Sequence, residues 1–205
     1  MTLDTDPPPH SVVVCLDEMG PERARSVPGT RLVRPDPDAA RRPRATQEID
    51  YGRRGRGSLF GAFVPATGAA FTRAYPRRTT AHWVTFLEQV EGWLDPSVTR
   101  VYAVLDHLRT HRAVDVLLWA VAHPRWEFVF QPTYAAYRNL IEPWGKGLRS
   151  LALKGRRCET WDEVCQAVEA ATQYWNAHRY PCIWGRRKRH RPARPPGVAA
   201  MPIAA

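Results

Sequence analysis

The chain of 205 residues is long enough for one full-sized domain with ragged ends and too short for two complete ones. An apolar fraction of 44% with eight Trp excludes a wholly disordered chain, and no apolar run approaches the roughly 18 residues that a membrane span requires. Thirty Lys and Arg against 20 Asp and Glu give a formal net charge of +10. That excess favours polyanions, nucleic acid first and acidic membrane surfaces second, although an Arg-rich proteome would produce the same balance.

Residues 1–10 are polar and Pro-rich and are expected to form a disordered lead. SVVVCLD, from Ser11 to Asp17, is a β-branched run that fits a buried strand of a mixed or parallel sheet, with Asp17 at its polar end. Residues 18–56 are rich in Arg and Pro without sustained periodicity, which predicts a long, partly ordered insertion able to touch phosphate. SLFGAFVP (Ser58 to Pro65) and AAFTRAYP (Ala69 to Pro76), on either side of Ala66 to Gly68, predict a hairpin. Thr79 or Thr80 then caps a helix whose stripe is Trp83, Phe86, Leu87, Val90, Trp93 and Leu94.

VYAVLD, from Val101 to Asp106, is a second buried strand that closes on an aspartate. A helix is expected from about Arg112 to Ala122 with Val114, Leu117, Leu118 and Val121 along its inner face, followed by a short strand in WEFVFQP from Trp126 to Pro132. From Tyr134 the pattern turns helical through Leu140, Ile141, Trp144 and Leu148, with Pro143, Gly145 and Gly147 expected to kink or interrupt it. A last amphipathic helix runs from about Thr160, its candidate N-cap, to Ala177, with Trp161, Val164, Val168, Ala171 and Trp175 inward. The body of the domain is thus expected over residues 11–184, and the basic, Pro-rich residues 185–205 as a disordered tail. Cys15, Cys158, Cys165 and Cys182 form no CxxC pair and follow no signal peptide, so they are expected reduced in a cytoplasmic protein.

Two strands that end in aspartate matter because the carboxyl ends of strands in an open sheet are where ligands are held. If the strands are neighbours, Asp17 and Asp106 converge, and adjacent carboxylates repel unless a proton or a cation lies between them. Mg²⁺ suits such a pair, because it prefers oxygen ligands and commonly combines one or two carboxylates with substrate phosphate. Taken singly, each aspartate is more often a strand-end or turn residue than a ligand.

LDEMG (Leu16 to Gly20), VLDHLRTH (Val104 to His111) and PTYAAYRNLIEPW (Pro132 to Trp144) together resemble the three catalytic blocks of the DDE transposases, and more narrowly those of the bacterial insertion-sequence six-thirty group, related to the mariner elements. The matching positions are Asp17, Asp106 with His111, and Glu142 with Asn139; the last two acids are 142 − 106 = 36 residues apart, within that family's range. His107 departs from the pattern, standing where the family usually has Asn. The resemblance covers roughly Val12 to Trp184 and implies an α/β, ribonuclease-H-like fold, a mixed sheet flanked by helices.

It further implies that Asp17, Asp106 and Glu142 are the catalytic, metal-holding carboxylates for two Mg²⁺ ions, with Mn²⁺ able to substitute. His111 and Asn139 would support them from behind, although helix-end capping explains either residue as well. Arg109, Arg112, Arg138, Lys146, Arg149 and Lys154 are candidates for the DNA path, against the alternative of a solvated charged face. Trp119, Trp144 and Trp175 are expected in the core rather than under stacked bases.

The implied partners are double-stranded DNA, as element ends and target, and a second copy of the chain when two ends are paired. The implied location is the bacterial cytoplasm, at the nucleoid. Such transposases read their terminal repeats through an amino-terminal helix-turn-helix region; with Asp17 almost at the start, that region is expected on a separately encoded half, unless the chain is a truncated copy or an isolated catalytic domain. Two alternatives stay open: another ribonuclease-H-like nuclease, and a catalytically inactive DNA-binding remnant.

Overall fold

The computed structural model describes residues 8–24, 32–33, 46–47, 55–106, 108–131 and 139–182. The lead, most of the expected insertion, residues 132–138 and the basic tail fall outside the described residues. Among them, β1 (Ser11–Arg23), β4 (Arg56–Val64), β5 (Ala69–Tyr75), β6 (Arg100–Leu105) and β7 (Trp126–Phe130) form one mixed sheet in the order β5-β4-β1-β6-β7. Within the span expected as insertion, β2 (Leu32–Val33) and β3 (Thr46–Gln47) pair as a small antiparallel ladder. The helices are α1 (Thr80–Trp93), α2 (Val114–Ala122), α3 (Ile141–Ala152) and α4 (Trp161–Ala177), with a 3₁₀ turn at Arg109–Arg112.

The pleat sorts the strand residues onto two faces. Val14 and Leu16 of β1 join Phe60, Ala62, Val101, Ala103 and Leu105 against α1 and α2. Cys15 of β1, with Leu59 and Phe63 of β4, packs against α3 and α4. Four helices therefore flank a five-stranded mixed sheet, the ribonuclease-H-like arrangement expected from the sequence. Burying a large side chain such as Trp83 or Phe86, both fully inaccessible, stabilises the fold by about 2 to 3 kcal/mol each.

The hairpin, α1 and α4 form where their signals lie. Gly68, at positive φ, donates its N–H to the Val64 carbonyl and closes the β4-β5 turn. Thr79 caps α1 by accepting from the His82 N–H, and Thr160 caps α4 by accepting from Glu163 N–H while the Glu163 carboxylate accepts from Glu159 N–H. The side chain of Asn176 in α4 both donates to and accepts from the main chain of Ala70, satisfying the outer edge of β5.

Three expectations are corrected. First, β1 does not stop at Asp17 but runs to Arg23, so residues 18–23 are strand rather than insertion. The parallel ladder with β6 ends at Cys15, whereas antiparallel pairing with β4 continues past Asp17, with a register shift between Met19 and Glu22. Second, α2 turns Val116 and Trp119 inward, while Val114, Leu117, Leu118 and Val121 are 54% to 80% exposed. Trp119 decides the orientation by stacking edge-on against Trp126 and donating its indole N–H to Glu88. Third, Pro143 does not interrupt a helix: α3 begins at Ile141, which puts Pro143 in the first turn, where no intrahelical N–H is needed.

Candidate active site

Asp17 lies opposite Gly61 in the β1-β4 ladder, on the sheet face that carries α3. A Cβ on Gly61 would meet Trp144 at 3.0 Å and Ile141 at 3.2 Å, so the bare backbone there lets the start of α3 settle close to Asp17. Asp17 and Glu142 line the same small cavity of about 150 Å³, together with Gly61, Trp144 and Lys146. Burial pushes the Asp17 carboxyl up to about 6; the Glu18 N–H at 2.7 Å opposes the rise, and the negative charges of Asp106, Glu18 and Glu142 add to it.

Asp106 is the first residue beyond β6. Its Oδ1 accepts from the Leu108 N–H at 3.1 Å and lies 2.9 Å from His111 Nδ1. Partial burial works against its ionisation, but the His111 hydrogen bond, the Leu108 amide, and the charges of His111 and Arg78 together hold its pKa below the usual carboxylate value. His111 itself is buried, which would lower its pKa; the hydrogen bond to Asp106, the close contact with Glu18, and the charges of both raise it instead to about 9. The protonated ring is therefore a fixed cation behind Asp106.

Glu142 sits in the first turn of α3, where the helix dipole favours a negative charge. Asn139 connects that turn to β1: its side-chain amide donates to the Leu16 carbonyl at 3.2 Å, its Oδ1 accepts from Ile141 N–H at 3.3 Å, and its own carbonyl accepts from Glu142 N–H. Asn139 is 4% exposed. One side chain thus sets the start of α3 against the residue that precedes Asp17.

Asp17 feels the charges of Asp106 and Glu142, yet among the described residues no group of three His, Cys, Asp or Glu side chains converges on a single coordination point. The chemistry of the donor set fits a hard divalent cation. All its members are oxygen donors, and a cation would offset both the burial that raises the Asp17 pKa and the smaller contribution of the neighbouring negative charges.

Lys146 and Arg149 stand exposed on α3 and Lys154 just beyond its end, and the three border a second groove of about 750 Å³, which Arg23 and Arg156 also line. Lys146 and Arg149 border both this groove and the Asp17 cavity. Arg149 Nε is 3.0 Å from Glu22. Arg112 is exposed at the end of the 3₁₀ turn; Arg138 and the side chain of Arg109 lie outside the described residues. Trp119 and Trp144 are 5% and 3% exposed, which places both in the core, whereas Trp175 is half-buried and packs against the edge of the α3-α4 cluster.

Glu18 was not singled out from the sequence, nor were Arg23 and Arg156. Ending the strand at Asp17 assigned Glu18 to the insertion, and the adjacent polar pair Asp17 and Glu18 breaks the alternation that would have marked it as strand.

The sequence pattern of the DDE superfamily endonucleases matches residues 12–165, from the core of β1 into α4. No curated protein matches the chain. Since the matched stretch is well over half of the 205 residues and spans the whole five-stranded sheet, the chain belongs to the DDE endonuclease superfamily.

Proposed function

We propose that the chain is the catalytic domain of a transposase of the bacterial insertion-sequence six-thirty group, cutting DNA at element ends and joining them to a target. The observation that carries this reading is that Asp17 feels the charges of Asp106 and Glu142 and lines, with Glu142, a cavity that shares Lys146 and Arg149 with a groove lined by Arg and Lys. A carboxylate cluster beside a cationic channel suits chemistry on a phosphodiester, whose polyanionic backbone the channel attracts.

In this reading Asp17, Asp106 and Glu142 hold two Mg²⁺ ions, for which Mn²⁺ can substitute. When bound, such ions polarise the scissile phosphate and acidify the attacking hydroxyl. The chain's own residues supply the rest. His111 holds the Asp106 carboxylate from behind, Asn139 sets Glu142 relative to β1, and Lys146 and Arg149, which border both groove and cavity, take phosphate oxygens. Water cleaves the phosphodiester at the element end and releases a 3′-hydroxyl, which attacks a target phosphodiester and displaces a second 3′-hydroxyl. No covalent intermediate with the protein is required.

A strand-transfer assay on labelled element ends tests the reading. Asp106→Asn is expected to abolish metal-dependent cleavage and joining while DNA affinity changes less than about threefold. Full cleavage by that variant would refute the assignment, and cleavage without joining by the wild type would indicate a nuclease of the same superfamily.

A further inference from the structure

Glu18 follows Asp17 on β1, and the pleat turns it to the opposite face of the sheet, toward α1. Its side chain is 1% exposed, and its Oε2 lies 3.1 Å from Nε2 of His111, whose side chain is inaccessible. The contact is a charge pair rather than an aligned hydrogen bond: among the described residues, neither Glu18 oxygen nor His111 Nε2 has a partner in hydrogen-bond geometry. The other ring nitrogen of His111 faces Asp106, 2.9 Å from Oδ1 and 3.3 Å from the main-chain oxygen. Trp83 covers the ring with a centroid separation of 4.2 Å. The imidazole is therefore held at both nitrogens and on one face.

A buried ion pair gains little stability over apolar side chains of the same volume, so stability alone is a poor account of a carboxylate buried here. We infer that Glu18 is a positioning residue: by fixing the His111 ring from behind, it holds the Asp106 carboxylate in one orientation for the ions. The inference rests on Asp106 being a metal ligand. Residues behind a ligand commonly change metal affinity by about 10- to 100-fold when removed.

The test uses the full chain without DNA and reads Mn²⁺ affinity by electron paramagnetic resonance and the His111 ring by ¹⁵N NMR. Glu18→Met keeps the volume and removes the acceptor, whereas Glu18→Gln keeps an oxygen opposite Nε2. The Met variant is expected to bind Mn²⁺ about tenfold more weakly and to lose the fixed Nδ1–H signal, and the Gln variant to stay within about threefold of wild type, with thermal midpoints little changed in both.

Wild-type affinity and an unaltered ring signal in Glu18→Met would overturn the inference. Equal losses in both variants with lowered midpoints would overturn it too, because they mark a packing role. Should Glu18→Met fail to fold, the wild-type spectrum decides: a slowly exchanging Nδ1–H supports the inference and a ring that reorients freely overturns it. Undiminished Mn²⁺ binding by Asp106→Asn would instead remove Asp106 as a ligand, and the ring signals would then report separately on whether Glu18 holds His111.

Discussion

Asp17 and His111 titrate in separate windows, and the signs of their effects differ. The Asp17 carboxyl has its pKa raised from 3.8 to about 6, so the folded protein binds that proton more readily than the unfolded chain. The resulting penalty is absent below 3.8, grows as pH rises, and is complete above about 6, where it reaches about 3 kcal/mol at most. Asp17→Asn should therefore raise the unfolding midpoint of the metal-free protein at pH 7 to 8 and leave it nearly unchanged at pH 4, as followed by thermal melts across pH. His111 is raised from 6.5 to about 9, so the stability it contributes is complete below 6.5 and lost as pH climbs through about 9. Melts of wild type and His111→Gln should converge at the alkaline end; a constant difference from pH 6 to 10 would contradict the charge assignment. Glu18 shows what the sequence concealed at this scale. Its neighbour Asp17 was legible because it follows a β-branched run, but a buried carboxylate next to it conflicts with the ordinary expectation that Glu faces solvent.

Elements with a single unambiguous apolar stripe were readable, and α2 was not. VDVLLWAVA is apolar on nearly every side, so three- and four-residue spacing draws a stripe through Val114, Leu117, Leu118 and Val121 as readily as through Val116 and Trp119. The choice is made by partners distant in sequence, Glu88 of α1 and Trp126 of β7. Leu118→Glu is accordingly expected to change stability by less than about 0.5 kcal/mol, whereas Val116→Ala should cost about 2 kcal/mol in denaturant unfolding. β1 was cut short because its apolar run stops at Asp17 and an Arg- and Pro-rich stretch follows, yet Gly20 and Pro21 sit at a register shift and the pairing with β4 resumes at Glu22. That continuation brings Glu22 to Arg149 of α3. Releasing the arginine with Glu22→Gln should strengthen binding of duplex DNA, and Lys146→Ala should weaken it and lower the salt slope by about 1, both measured by fluorescence anisotropy over a salt series.

Across the whole molecule, sequence order and space diverge in the way a mixed sheet requires. Asp17 and Glu142 are 142 − 17 = 125 residues apart and line one cavity, because β1 lies at the centre of the sheet and Asn139 ties α3 to it. The fold class and the superfamily were legible as ordered blocks on successive elements. The meeting of Asp17 and Glu142 at one cavity was not, because it depends on the bare backbone of Gly61 and the Asn139 bridge, neither of which leaves a periodic signature. Among the described residues no helix is long and apolar enough to cross a membrane, and the basic groove shares Lys146 and Arg149 with the cavity that Asp17 and Glu142 line. The most direct measurement is anomalous diffraction from crystals soaked in Mn²⁺. The account predicts a peak about 2.1 Å from carboxylate oxygens of both Asp17 and Asp106, with Glu142 turned toward it. A bound ion elsewhere, or no ion at these carboxylates at saturating Mn²⁺, would contradict it.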